Sequence, residues 1–210
     1  MSAAKKRIGV DFDNTIVGYD AVFLASAKER GLLAGGFSGN KQAIRDAIRL
    51  LPDGELAWQR LQGFVYGRCM IDAAMFEGVD TFLCRCRDEG HEVFVVSHKT
   101  EFGHFDPERV NLREAALEWM TRRGFFRADG YAIPAENVFF ESTRADKLRR
   151  IAMLGCTHFI DDLEEVLSDP AFPPIHRVLF ASGHIPSGAP SYPICATWKK
   201  IEAEVFSGRG

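Results

Sequence analysis

The sequence lacks the features that mark several large classes of protein. Its 210 residues carry a formal net charge of only −3, so the strong positive charge of a general nucleic-acid binder is missing. No apolar run approaches the length of a membrane-spanning helix, and the basic start of the chain lacks the apolar segment of a signal peptide. We therefore expect a cytoplasmic protein that binds neither nucleic acid nor membrane. Small phosphorylated ligands are compatible with this charge, because they need only a local positive site.

Cysteines are few, and they show no CxxC pairing. The chain has five of them, an odd number, which is typical of reduced thiols packed as small apolar residues in the cytoplasm. Cys84 and Cys86 lie two apart on a predicted helix and face different directions, so their spacing fits no metal or redox site.

Short apolar runs alternate with longer helical patterns. Five runs rich in Val, Ile and Phe read as buried strands, at 7–12, 91–97, 137–141, 157–161 and 176–181. Helical patterns lie between them, at 79–89, 111–123, 145–154 and 163–168. This alternation predicts an α/β fold with a Rossmann-like three-layer core, a mostly parallel sheet of about five strands and helices on both faces.

One interval breaks the alternation. Between Tyr19 and Phe76 there is no convincing strand, only helical patterns near 20–30, 40–51 and 54–67. Since this is too much chain for one crossover, we expect a small all-helical cap at 19–76, inserted after the first strand. The catalytic core would then consist of 1–18 and 77–210.

Polar side chains stand at corresponding ends of the predicted strands. They are Asp11 and Asp13 after the first strand, Ser97 at the end of the second, Lys147 after the third, and Asp161 and Asp162 at the end of the fourth. Ligands of open parallel sheets bind outside these carboxyl ends. Carboxylates gathered there repel one another and need compensation, which Mg²⁺ supplies together with phosphate oxygens. The lysine and the hydroxyl would hold the rest of a phosphate.

These four motifs, in this order, resemble those of the haloacid dehalogenase superfamily in its phosphatase branch. They are "DFDNT" (11–15), Ser97 in "VFVVSHK", Lys147 in "TRADKL" and "FIDDLEEVL" (159–167). The resemblance spans nearly the whole chain. The fourth motif has the paired-acid form, since Val166 stands where another form carries a further acid.

The resemblance implies Mg²⁺-dependent hydrolysis of a small phosphomonoester, such as a sugar phosphate or a nucleotide, through an aspartyl-phosphate. Asp11 would attack phosphorus, and Asp13 would first protonate the leaving oxygen and then activate water. Ser97 and Lys147 would stabilise the transferring phosphoryl group.

The metal site implied by the resemblance centres on Asp162, with Asp161 assisting. Asp11 would be a further ligand, and Asp13 would reach the metal through its backbone carbonyl.

Further residues near the first two motifs are expected to contact substrate. These are Thr15, Ser97, His98 and Lys99. Lys99 is also the second candidate for the role of Lys147, because the third motif has the weakest local signature. The histidine spacing in this region fits no zinc motif.

Two alternatives stay open at this point. A phosphomutase would use the same nucleophile and return the phosphoryl group to the substrate. A catalytically silent member would bind a phosphorylated metabolite or a protein partner instead. Whether the chain is a monomer or a homodimer is also open.

Overall fold

The computed structural model describes residues 4–105, 108–183 and 190–207. The strands are β1 (Arg7–Val10), β2 (Val17–Gly18), β3 (Ala74–Met75), β4 (Glu92–His98), β5 (Val138–Glu141), β6 (His158–Asp161), β7 (His176–Phe180) and β8 (Ile194–Cys195). The helices are α1 (Asp20–Glu29), α2 (Lys41–Arg49), α3 (Gly54–Tyr66), α4 (Val79–Asp88), α5 (Leu112–Arg122), α6 (Arg144–Met153), α7 (Glu164–Leu167) and α8 (Trp198–Phe206). None of these helices is both long and apolar enough to cross a membrane.

The main sheet has six strands in the order β5-β4-β1-β6-β7-β8. Every neighbouring pair is parallel. The predicted Rossmann-like α/β class is confirmed, and all the predicted strands are present. The chain builds the sheet first to one side of β1 and then to the other, so the strand order reverses beside β1. That is the point where open α/β sheets bind ligands.

A glycine in β1 permits close packing in the centre of the sheet. Gly9 pairs with Phe159 of β6, and a Cβ on Gly9 would lie 2.4 Å from Cδ2 of that phenylalanine. The flanking side chains of Ile8 and Val10 are fully buried. The absence of a side chain at position 9 therefore leaves room for the aromatic ring.

Side chains along a strand alternate between the two faces of the sheet. Because the strands carry apolar residues on both faces, helices cover both. On one face, Leu148 of α6 and Val166 of α7 join a core cluster with Phe159. On the other face, the rings of Phe82 in α4 and Trp198 in α8 lie 5.1 Å apart.

The chain divides into two compact units. The first takes in the chain up to Val17, Met75–His98 and the chain from Gly124 onward, and the second takes in Gly18–Ala74 and Lys99–Arg123. The second unit contains α1, α2 and α3, which lie within 19–76, and also α5, which lies outside that range.

Hydrogen bonds explain why α5 lies in the second unit. The indole Nε1 of Trp119 donates to the carbonyl of Ala73 at 2.8 Å, and Arg123 donates to the same oxygen at 2.7 Å. Trp119 and Arg123 lie 46 and 50 positions after Ala73 in the sequence, so no local pattern indicates these contacts.

Candidate active site

The turn after β1 fixes the first two acids. The backbone N–H of Asp11 donates to the carbonyl of Ile160 at 2.9 Å, which extends the pairing of β1 with β6. Asn14 then adopts φ 59°, in the left-handed region that asparagine tolerates better than most residues. Its N–H donates to the carbonyl of Val17 at 2.8 Å and closes the turn. The turn leaves Asp11 and Asp13 on the wall of one cavity.

This cavity has a volume of about 240 Å³ and lies at the carboxyl ends of the strands, within the first unit. The predicted residues on its wall are Asp11, Asp13, Ser97, His98, Lys147 and Asp162. All four motifs therefore meet at one place, as the positions of the strand ends predict.

Lys147 links two of the acids. Its Nζ lies 2.7 Å from Asp11 Oδ1 and 2.6 Å from Asp161 Oδ2, with all three side chains buried. Burial lowers the pKa of Lys147, but the two carboxylates outweigh burial and hold the pKa above its ordinary value. The lysine is therefore charged. The second oxygen of Asp161 accepts from the N–H of Leu163 at 2.9 Å, so that carboxylate is held on both sides.

Burial raises the pKa of Asp11 to about 7. The ammonium of Lys147 opposes this rise, whereas the charge of Asp161 adds to it. Near neutral pH the carboxyl of Asp11 is thus balanced between its two protonation states. Any further positive charge at this place would favour the carboxylate.

Three of the predicted metal ligands form a group. Asp11, Asp161 and Asp162 each offer a carboxylate oxygen, and these oxygens all lie within 4.8 Å of one another. A cluster of hard oxygen donors fits Mg²⁺. Asp13 lines the same cavity, but its carboxylate is not a member of this group.

Thr15 supports the fourth motif. Its Oγ1 lies 3.4 Å from Asp162 Oδ1, and its carbonyl accepts from the indole of Trp198 at 3.0 Å. Thr15 is fully buried. Thr15 is not among the residues that line the cavity, so its contact is with the carboxylate of Asp162.

The residues at the end of β4 differ in their surroundings. Ser97 is buried on the cavity wall, while His98 is exposed and has its Nε2 2.9 Å from the carbonyl of Ser142. Lys99 belongs to the second unit, where its Nζ lies 5.2 Å from the ring centroid of Tyr66. Of the two lysines considered for the third motif, Lys147 is the one that contacts Asp11.

Some residues on the cavity wall were not foreseen from the sequence. They are Asn14, Arg144, Leu163, Glu165 and Val166. Arg144 carried a usable signal, because it precedes Lys147 by three positions and residues at that spacing share one face of a helix. Glu165 gave no comparable signal, since Asp161, Asp162 and Glu164 just before it are also acidic.

No protein-family model and no curated protein matches this sequence. Solved structures do match its fold. A haloacid dehalogenase-like hydrolase from Streptococcus pneumoniae is 13% identical, with a TM-score of 0.60 over 96% of this chain and 98% of that one. A predicted phosphoglycolate phosphatase from Haemophilus somnus is 15% identical, with a TM-score of 0.53 over 96% and 98%. The Protein Tyrosine Kinase A of Mycobacterium tuberculosis is 14% identical, with a TM-score of 0.65 over 97% and 99%. At these identities the likeness shows a shared fold.

Proposed function

Because this chain has the haloacid dehalogenase fold, we propose that it hydrolyses a small phosphomonoester through an aspartyl-phosphate on Asp11. The observation that carries the proposal is the buried contact of Lys147 with Asp11 and Asp161, on the wall of a cavity beside the central strand. Structural relatives described as hydrolases and as a phosphatase support the reaction type. The odd number of cysteines, which is typical of reduced thiols, supports a cytoplasmic location.

Asp11 is the nucleophile in this proposal. Lys147 holds one of its carboxylate oxygens at 2.7 Å, so the carboxylate is fixed in orientation while the other oxygen attacks phosphorus. A bond forms between that oxygen and phosphorus as the bond to the leaving alkoxide breaks. The charge of Lys147 stabilises the negative charge on the transferring group.

Asp13 is the general acid and base. It stands two residues after the nucleophile, on the same cavity wall, because the turn at Asn14 folds the chain back. We assign it the proton that the leaving oxygen takes up, and then the proton of the water that hydrolyses the aspartyl-phosphate. The hydroxyl of Ser97 donates to a phosphoryl oxygen.

The acids at Asp11, Asp161 and Asp162 are the residues that would hold Mg²⁺. When bound, the ion supplies positive charge to the nucleophile and to the phosphoryl oxygens. Asp161 has a second task, since its contact with Lys147 positions the ammonium.

The test is a panel of phosphorylated metabolites assayed for release of inorganic phosphate with Mg²⁺, Mn²⁺ or Co²⁺. Wild-type protein should release phosphate, and Asp11→Asn should lower the rate at least about a thousandfold while the protein stays folded. Asp129→Asn is the matched control, because the side chain of that acid is 70% exposed and pairs with Arg127, two positions before it.

Other outcomes would contradict the proposal. Full activity of Asp11→Asn would remove the covalent mechanism. An isomerised ester without free phosphate would favour the phosphomutase. Binding of the esters with no turnover under any of the three metals would favour the silent binder.

A further inference from the structure

The cavity wall carries an ion pair that the proposed mechanism does not use. Arg144 and Glu165 both line the cavity, and Nη2 of the arginine lies 2.6 Å from Oε1 of the glutamate. Their side chains are 43% and 63% exposed. Water screens a pair that is this exposed, so the contact is weak and another anion can replace Glu165.

Arg144 stands next to the place where the phosphoryl group must lie. It is the first residue of α6, and Lys147 follows one helical turn later on the same face. Side chains at this spacing start roughly 5–6 Å apart at their Cβ atoms. Lys147 contacts Asp11, and Arg144 lines the same cavity.

The positive charge of Arg144 is unfavourable at its position, the N-terminal end of α6. The N-terminal end of a helix carries partial positive charge, which disfavours a cation and favours an anion. The backbone there is already capped, because the hydroxyl of Thr143 accepts from the N–H of Asp146 at 3.1 Å. An arginine at this end therefore adds positive charge to a site that already attracts anions.

The volume of the cavity limits the size of a substrate group that can lie between Lys147 and Arg144. Its volume of about 240 Å³ is below the range of roughly 300–1,000 Å³ that is usual for small-molecule pockets. A cavity of this size has room for a phosphoryl group and a few further atoms. The first atoms of a leaving group would share this space with the side chain of Arg144, which lies on the cavity wall.

We propose that Arg144 exchanges Glu165 for a second anionic group on the substrate. The substrates would then be short phosphomonoesters with a carboxylate or a second phosphate close to the ester oxygen. A guanidinium binds either group through two parallel hydrogen bonds, which a lysine cannot do. This inference rests on the proposed function, since it concerns the leaving group of the same reaction.

The experiment uses linear alkyl phosphates of two to four carbons that end in a methyl group, a carboxylate or a phosphate. Phosphate release gives kcat/KM for each ester. The matching alkylphosphonates are titrated calorimetrically into wild-type protein with Mg²⁺, and binding is measured without turnover because their C–P bond is not hydrolysed. Wild-type protein should prefer an anionic end over a methyl end by at least about tenfold, in line with a charge-assisted pair. Comparison of the carboxylate-ended and phosphate-ended esters identifies which anion is preferred. The preferred chain length indicates the distance between the phosphoryl site and Arg144.

Three variants separate recognition from general electrostatics. Arg144→Gln should reduce the ratio of anionic-ended to methyl-ended kcat/KM to near one, and Glu165→Gln should raise that ratio. Arg149→Gln removes the same charge from a 72% exposed position on the same helix, and it should leave the ratio and the activity unchanged.

The inference fails if wild-type protein binds and hydrolyses methyl-ended and anionic-ended esters equally. It also fails if Arg149→Gln lowers the ratio as much as Arg144→Gln, or if Arg144→Gln lowers both kinds of ester alike. If the phosphonates bind with an Arg144-dependent preference but no ester releases phosphate, the proposed hydrolysis fails while the recognition by Arg144 stands.

Discussion

The Nζ atom of Lys147 lies 2.7 Å from Oδ1 of Asp11, although 136 positions separate the two residues in the sequence. Both side chains are buried, and the same ammonium also contacts Asp161. Two buried carboxylates would repel each other without it. In the proposed mechanism the lysine therefore contributes to both stability and catalysis, and the two roles need separate measurements.

Replacement of Lys147 by Met should lower both stability and activity. It leaves two buried carboxylates uncompensated, which costs about 3–5 kcal/mol in comparable buried pairs. Turnover should fall at least about a hundredfold, because the charge on the transferring group loses its partner. Urea unfolding and phosphate release measure the two effects.

A double variant separates these effects. Lys147→Met with Asp161→Asn removes one carboxylate along with the ammonium, so much of the stability should return while activity stays low. The amide can still accept from the N–H of Leu163, as the carboxylate does. If the double variant recovers activity along with stability, the lysine acts on structure alone.

Mg²⁺ should stabilise the protein, and more strongly at high pH. Metal ligands must be deprotonated, and burial raises the pKa of Asp11 to about 7. Protons therefore compete with the metal below about pH 7, where the metal affinity should fall roughly tenfold per pH unit if this carboxylate is a ligand. Thermal unfolding with increasing Mg²⁺ at pH 6 and pH 8 measures this.

The variant Asp162→Ala tests whether this acid is a Mg²⁺ ligand. It should fold with a normal melting curve and show no Mg²⁺-dependent rise in melting temperature. Equal Mg²⁺ stabilisation in wild-type protein and Asp162→Ala would remove this acid from the metal site.

Acid should destabilise the protein through His158, which is not among the residues that line the cavity. Burial lowers the pKa of His158 from 6.5 to about 4, and the charges of Lys6 and His176 add to the effect. Because the folded pKa lies below the unfolded one, the contribution to stability is present above about pH 6.5 and is lost as the pH falls toward 4. The free energy of unfolding should therefore decrease over this window, and less steeply in His158→Gln. Parallel curves for the two proteins would contradict this assignment.

Gly9→Ala should destabilise the sheet by about 1–3 kcal/mol or more, because the new Cβ would lie 2.4 Å from the ring of Phe159. Gly35→Ala is the control, since a Cβ there meets nothing within 4 Å. The loss should be smaller when Phe159→Leu is combined with Gly9→Ala, because the ring is the obstacle. Equal losses in both backgrounds, measured by urea unfolding, would contradict this packing.

The strands and the strand-end acids were predictable because each rests on local pattern. Short apolar runs mark the strands, and Asp11 and Asp161 stand directly beside them. The burial of Lys147 was harder to predict, since Arg149 and Arg150 beside it are typical of a solvated helix face. Only the packing of α6 on the sheet turns that lysine inward.

Other features depend on contacts that no local pattern carries. The strand β8 spans two residues and is too short to stand out from a loop. The pairing of Arg144 with Glu165 joins two helices 21 positions apart. Helix α8 did have a signal, because Trp198, Ile201 and Val205 recur at helical spacing and are buried.

The most direct test is to trap phosphate on Asp11. An aryl phosphate needs little help with its leaving group, so Asp13→Asn protein should still form the aspartyl-phosphate but hydrolyse it slowly. Rapid quenching followed by borohydride reduction converts an aspartyl-phosphate to homoserine, which peptide mass spectrometry locates. We predict homoserine at position 11 in protein treated with substrate and Mg²⁺, and none in Asp11→Asn. An unmodified Asp11 in protein that releases phosphate, or a modification at another residue, would contradict the account.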